Sequence, residues 1–440
     1  MVYFIFDRQY SSEKLKKILI ENITSKKEKT ILIVPEQSSF ACEREMLKRV
    51  GNKNFAKIKI LSFSRIYDFV SQIIKIPPIK PISDTKKILL MNAAIENIKD
   101  KLNLYSKNSN DANTVELILS TLMDFKSEKI SDDDLQKIIN STEKSYLKQK
   151  ISEIQLIKSE YKNLTENKFV DLFDSLDILE KIIKENNVFK DYTIYIDEFA
   201  NFTKQQLEIL KIVISQAKNV YFSFKFPAEN NDSEGLFYSV KKSINQIKKI
   251  ASENSIPTHS AENIDNFSHC KINNELENLE KNIFNSEKIS YQNRPQNIKL
   301  YRAMSTDEEI EFVAANIKKM VITDNYKYSD FAVIMRSADS YAGLFKSKFK
   351  KYGIPFFLDT PQKILHNNLI NLIFAAIDSI KSNYSTEDVT RYIKSGLTDL
   401  STEEISLIEN YILLWEIKGK DWLKPFTMHP EGFKSGLSEK

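Results

Sequence analysis

Two adjacent carboxylates, Asp197 and Glu198, follow directly on the run Tyr192-Thr193-Ile194-Tyr195-Ile196. An acidic pair at the end of a strand is what phosphoryl transfer uses. The first carboxylate holds magnesium directly or through water, and the second positions or activates the attacking water. The β-branched and aromatic run before the pair suits a central parallel strand covered on both faces, and the carboxyl ends of such strands are where α/β sheets place their ligands. The same residue pattern also arises where a strand simply meets a helix whose first turn welcomes negative charge.

A nucleotide site also needs a phosphate cradle. Val2 to Phe6 reads as a short buried strand, and Ser11 or Ser12 can cap a helix running through about Glu21. Between them lies Asp7-Arg8-Gln9-Tyr10-Ser11-Ser12-Glu13-Lys14, which has no glycine. A cradle requires glycines so that backbone N–H groups can wrap the anion, with a lysine and a hydroxyl at fixed spacing. Lys14 is the candidate for nucleotide contact, although a surface lysine explains it far better and Asp7 and Glu13 would repel an anion. The whole chain has only eight glycines, the earliest being Gly51, against a usual frequency of about 7%.

The chain of 440 residues, 42% hydrophobic and 28% charged, has room for about three domains and an ordinary globular core. No apolar run approaches the roughly 20 residues of a membrane span, and the first residues lack a secretory pattern. These features predict a cytoplasmic protein with no membrane contact. Cys42 and Cys270, with four histidines, supply neither a disulfide framework nor a metal-ligand set. A net charge of +4 announces no global attraction to nucleic acid, though Lys241, Lys242, Lys248 and Lys249 cluster locally, as do Lys346, Lys348, Lys350 and Lys351.

Further strands are expected at Thr30 to Val34 and Ile58 to Leu61, each followed by a helix, Ser38 to Arg49 and Ser64 to Ile74. Three strand-then-helix units in succession predict a doubly wound parallel sheet. From Asp84 to about Asn187 the pattern is helical, and the sheet resumes at Tyr192 and again at Asn219 to Phe226. The polar stretch Asn285 to Asn297 reads as a linker. A second α/β unit is expected beyond it, with strands at Ile298 to Ala303, Phe331 to Met335 and Ile354 to Leu358, then helices from Leu369 onward.

Several stretches carry a family resemblance. Leu32-Ile33-Val34-Pro35-Glu36-Gln37-Ser38-Ser39-Phe40, Leu61-Ser62-Phe63-Ser64-Arg65 and Tyr195-Ile196-Asp197-Glu198-Phe199 resemble the amino-terminal part of AddB, the nuclease-bearing subunit of the AddAB helicase-nuclease. Tyr328 to Arg336, Tyr352 to Asp359 and Ile417 to Trp422 resemble it in the same order. The resemblance implies an α/β fold of two tandem RecA-like domains of superfamily 1 helicase type, with parallel sheets and helical insertions. The first RecA-like domain would comprise 1–83 and 188–290, with a helical insertion at 84–187. The second would start at 291–362, and 363–440 would begin a second insertion, truncated.

The resemblance further implies ATP-dependent DNA end resection for recombinational double-strand break repair, as a heterodimer with an AddA-type subunit. The family acts on single-stranded and double-stranded DNA, and this part of it recognises the Chi sequence without driving translocation. The complex uses ATP and magnesium, and a 4Fe-4S cluster belongs to a carboxy-terminal nuclease that is not here. Asp197 and Glu198 would be a degenerate acidic motif, since Ala200 and Asn201 replace the expected Gln and Phe224-Lys225-Phe226-Pro227 lacks a working sensor. Candidate DNA contacts are Gln37, Ser39, Phe63, Ser64 and Arg65 in the first lobe and Ser337 in the second, with Arg336 a possible nucleotide contact. Phe63 could stack on a base or fill core, and Arg65 could hold a phosphate or pair with an acid such as Asp68. Two other readings stay open: an active ATP-dependent helicase or nucleotide switch, and a structural scaffold without DNA contact.

Overall fold

A computed structural model of the chain describes residues 1–8, 10–25, 29–77, 82–106, 111–165, 172–226, 235–260, 273–283, 289–358, 364 and 367–430. The chain divides into two compact units, 1–298 and 299–440.

The first unit is built on β1 (Val2–Asp7), α1 (Ser11–Ser25), β2 (Lys29–Ile33), α2 (Ser39–Phe55), β3 (Ile58–Leu61) and α3 (Phe63–Ile74). Helices α4 (Asp84–Asn97), α5 (Ala112–Ser127), α6 (Asp132–Ser141), α7 (Ser145–Thr165) and α8 (Leu172–Glu185) follow. The sheet then resumes with β4 (Tyr192–Ile196), α9 (Lys204–Gln216), β5 (Asn219–Lys225), α10 (Tyr238–Glu253), β6 (Thr258–Ser260) and α11 (Asn274–Asn282). The strands form one six-stranded sheet in the order β3-β2-β4-β5-β1-β6, with every pairing parallel.

Helices cover both faces, so consecutive strand residues bury in opposite directions. Ile31, Ile33, Ile194, Ile196 and Phe222 face a core closed by α3, α8, α9 and α10. Ile5, Leu32 and Tyr195 face a smaller core closed by α1 and α2. Helices α4, α5 and α7 bury a separate cluster of their own, centred on Met91, Ile118 and Ile157. Glu153 of α7 is buried there, and its carboxylate accepts from the backbone N–H of Asn103, Leu104 and Tyr105 at 3.0 to 3.2 Å. Gly51 takes φ 70° and ψ 165° inside α2, a left-handed bend that a side chain would oppose.

Strand β6 is not legible in the sequence because Thr258-His259-Ser260 is short, polar and exposed, which is the character of a sheet edge. Glu275 of α11 accepts from the backbone N–H of Gln296 and Asn297 at 2.9 and 2.8 Å, holding the end of the expected linker to this unit.

The second unit contains α12 (Thr306–Thr323), α13 (Ala338–Lys351), α14 (Asn368–Lys381), α15 (Thr386–Ile393) and α16 (Thr402–Trp415). Ile310, Ala314 and Ile317 of α12 pack against Phe345 and Phe349 of α13 and against Ile354. The three strands expected here are a correction: 298–303, 331–335 and 354–358 join no ladder among the described residues. Leu300, Ile334 and Phe357 are 100%, 95% and 88% exposed. A run of β-formers reports fitness for a half-buried pleated surface and does not make a strand without neighbours to pair with; Pro355 also removes a donor.

Candidate functional site

The β1–α1 connection has only three residues between the last strand position and the first helical one. Asp7 organises it. One oxygen accepts from the Tyr10 backbone N–H at 2.8 Å, and the other pairs with Lys14 Nζ at 2.6 Å. Compared with the phosphate-loop pattern G-x-x-x-x-G-K-[ST] across Asp7 to Lys14, Glu13 stands where the lysine belongs and Lys14 where the hydroxyl belongs. Glu13 pairs with Arg49 at 2.8 Å, Arg49 with Glu45 at 2.5 Å, and Glu45 with the buried Lys16 at 2.9 Å. The hydrogen bond from Arg49 holds the Glu13 carboxyl below its ordinary range. Burial opposes the charge on Lys16, yet Glu45 and Asp197 together keep its pKa above the usual value.

The acidic pair is split between inside and outside. Asp197 is fully buried; Ser12 donates to one of its oxygens at 2.6 Å and Ser223 donates to the other. Its backbone N–H continues the ladder to Ile33 at 3.0 Å, which is why the side chain is fixed under the sheet's end. Desolvation pushes the Asp197 carboxyl up, against the pull of the two serines and Lys16. Glu198 is exposed and takes φ 65°, a left-handed conformation that costs a non-glycine residue about 1 kcal/mol or more.

These residues do not fit ATP with magnesium. The turn has no glycine to let its backbone wrap an anion, and only three residues separate the strand from helix α1. Lys14 and Lys16 are each matched by an internal acid, and Asp197 directs both oxygens to serine hydroxyls. No step of phosphoryl transfer is assigned to them. Among the described residues no group of three or more His, Cys, Asp or Glu side chains is arranged to hold a metal ion. Cys42 is buried, its thiol pushed up to about 12 by desolvation, and Cys270 lies outside the described residues.

At the neighbouring strand ends the candidate DNA residues sort by exposure. Gln37 is exposed and Ser39 is buried. Phe63 is 6% exposed and packs edge-on against Phe199 and Phe202, with centroids 5.5 and 6.4 Å away, so its ring faces are enclosed by core. Ser64 donates to Glu36 at 2.5 Å, and Arg65, half exposed, pairs with Glu43 at 3.1 Å, in place of the Asp68 contact. The aromatic presented to solvent on this rim is Phe40, 74% exposed. Phe40 closes one of the stretches that carry the resemblance, yet sequence alone assigns it no role; its place beside Gln37 at the start of α2 was the available signal. In the second unit Arg336 and Ser337 are exposed, and Ser337 is the N-cap of α13 without a side-chain hydrogen bond.

A parallel α/β sheet with a nucleotide-type strand order, an acidic strand end and a degenerate loop defines a helicase-like protein with a RecA-like fold. The family model described as ADDB, N-terminal, matches residues 9–280, and one described as UvrD-like helicase C-terminal domain matches residues 258–432. The chain belongs to the AddB amino-terminal family. It is 32% identical over 424 residues to the B-type subunit of the ATP-dependent helicase/deoxyribonuclease of Clostridium kluyveri, covering 93% of this chain and 36% of that one. The proteins of the same name from Clostridium acetobutylicum and Clostridium novyi are each 30% identical, covering 99% of this chain and 39% of theirs. The chain thus spans a little over a third of the length of the curated relatives it matches.

Proposed function

We propose that this chain is the helicase-like part of an AddB-type subunit that lines a path for single-stranded DNA, reads Chi there, and leaves translocation to a partner AddA-type subunit. The setting is cytoplasmic, ATP-dependent end resection for recombinational repair. In this reading 1–83 and 188–290 are the first RecA-like domain and 84–187 its helical insertion, 291–362 begins the second, and 363–440 begins a second insertion. Gln37, Phe40 and Arg65 supply DNA contacts on the first domain, Arg336 and Ser337 on the second.

The observation that carries the silent role is the closed charge network of the turn, in which Lys14 is held by Asp7 and Glu13 by Arg49. Catalysis by such sites is mostly positioning and charge neutralisation, so a loop whose charges are already neutralised internally has little to offer a triphosphate. The testing experiment is anisotropy of a labelled single strand against the purified chain across a salt series, with and without ATP and magnesium. Affinity that falls with salt and is indifferent to ATP is expected. ATP-modulated affinity would revive the motor, and absence of binding at low salt would leave a scaffold.

A further inference from the structure

A groove of about 720 Å³ runs along the seam of α9 and α10, on residues that the DNA path does not use. Each helix contributes one stripe to it. On α9 the stripe is Lys204, Leu207, Glu208 and Lys211; on α10 it is Lys242, Ser243, Gln246, Lys249, Ile250 and Glu253. Both follow the i, i+3, i+4, i+7 spacing of a single helix face. The floor is the half-buried rim of the sheet's core, formed by Phe202, Leu207 and Ile250.

The charge on the rims is unbalanced. Glu253 pairs with Lys211 at 3.7 Å, and Glu208 lies in the field of Lys129. Lys204, Lys242 and Lys249 have no acidic side chain within ion-pair distance among the described residues. Lys242 and Lys249 are seven residues apart on one helix face, as are Lys204 and Lys211, which sets each pair about 10.5 Å apart along its helix at 1.5 Å per residue.

We infer that this groove docks an acidic amphipathic helix of a partner protein, with the apolar stripe of the guest on Phe202, Leu207 and Ile250 and glutamates or aspartates seven residues apart against the unpaired lysines. The helix-length channel between two helices and the lysines in two-turn register are the terms of helix-in-groove recognition. Nucleic acid suits it less well. Glu128, Glu208 and Glu253 all line the wall and would face phosphates, whereas an amphipathic guest can match them with its own lysines.

The probes are three fluorescent ligands titrated against the full chain: a 15-residue helical peptide with a leucine stripe and glutamates at seven-residue spacing, its counterpart with lysine for glutamate, and an oligo(dT) strand. The acidic peptide is expected to bind, to lose about tenfold or more in affinity in Lys242→Glu/Lys249→Glu, and to be out-competed on that variant by the lysine peptide. Equal binding of the two peptides, binding of neither, or oligo(dT) affinity that alone follows Lys242 and Lys249 would each overturn the proposal. Both lysines lie on a formed helix outside its buried face, so melting profiles should coincide; Lys242→Ala/Lys249→Ala repeats the test without reversed charge, with a smaller loss expected in the same direction.

Discussion

Lys14 Nζ lies 2.6 Å from Asp7 Oδ2, and both side chains are largely shielded from solvent. The pair closes the two ends of the eight-residue stretch where a nucleotide's phosphates would sit. Freeing Lys14 should therefore not create a nucleotide site, because the turn still lacks glycine and Glu13 still stands in the lysine's place. Asp7→Ala is predicted to cost about 1 to 3 kcal/mol by stranding Lys14 and the Tyr10 N–H, with no gain in phosphate release from ATP. Hydrolysis by the unaltered chain that disappears in Asp197→Ala would show this account to be wrong.

Asp197 makes a pH prediction. Its folded pKa is raised by burial, so the folded chain binds this proton more tightly than the unfolded chain. Stability is then greatest below the ordinary carboxylate pKa and declines as pH rises through the raised folded value. Asp197→Asn removes the titration while keeping groups for Ser12 and Ser223. The melting temperature of the variant minus that of the parent should rise from acid to neutral pH, read by circular dichroism. A difference that is flat with pH would mean that the serines and Lys16 fully offset burial.

Phe63 and Phe40 separate folding from binding. Phe63→Ala empties a site ringed by Phe199 and Phe202 and should cost about 3 to 5 kcal/mol in denaturant unfolding. Phe40→Ala should change stability by less than about 0.5 kcal/mol, while weakening single-strand affinity by about 1 to 3 kcal/mol if the ring stacks on a base. Loss of DNA affinity in correctly folded Phe63→Ala, with none in Phe40→Ala, would return the stacking role to Phe63.

Strands β1 to β5 of the first unit were legible because each is a short β-branched or aromatic run, whereas β6, polar and exposed, carries no such signal. Thr203 forms the capping box of α9 with Gln206. What lay beyond reach was anything decided by distant partners. Glu13 and Arg49 are 36 residues apart, so the sequence shows a bare acid where the fold has a neutral pair. Phe63 and Phe40 look alike as letters, and only the positions of Phe199 and Phe202 decide which is enclosed. The runs at 331–335 and 354–358 spell strands, yet pairing is a property of neighbours and not of the run itself.

Glu153 is the last such case, and it tests the helical subdomain alone. One buried carboxylate, 4% exposed, satisfies three consecutive backbone donors at Asn103, Leu104 and Tyr105 and also accepts from Gln149 at 3.2 Å. Glu153→Ala leaves the half-buried donors of Leu104 and Tyr105 without an acceptor, a loss of about 2 kcal/mol or more if each costs about 1 to 3, while the exposed Asn103 can turn to water. Glu153→Gln keeps one carbonyl oxygen and should lose less than half as much. Hydrogen exchange localises the effect: the amides of 103–105 and of α4 should lose protection in Glu153→Ala, while β4 and β5 keep theirs, because the sheet's core shares no buried residue with this cluster. Equal loss across the sheet would mean that the helices and the sheet open as one unit.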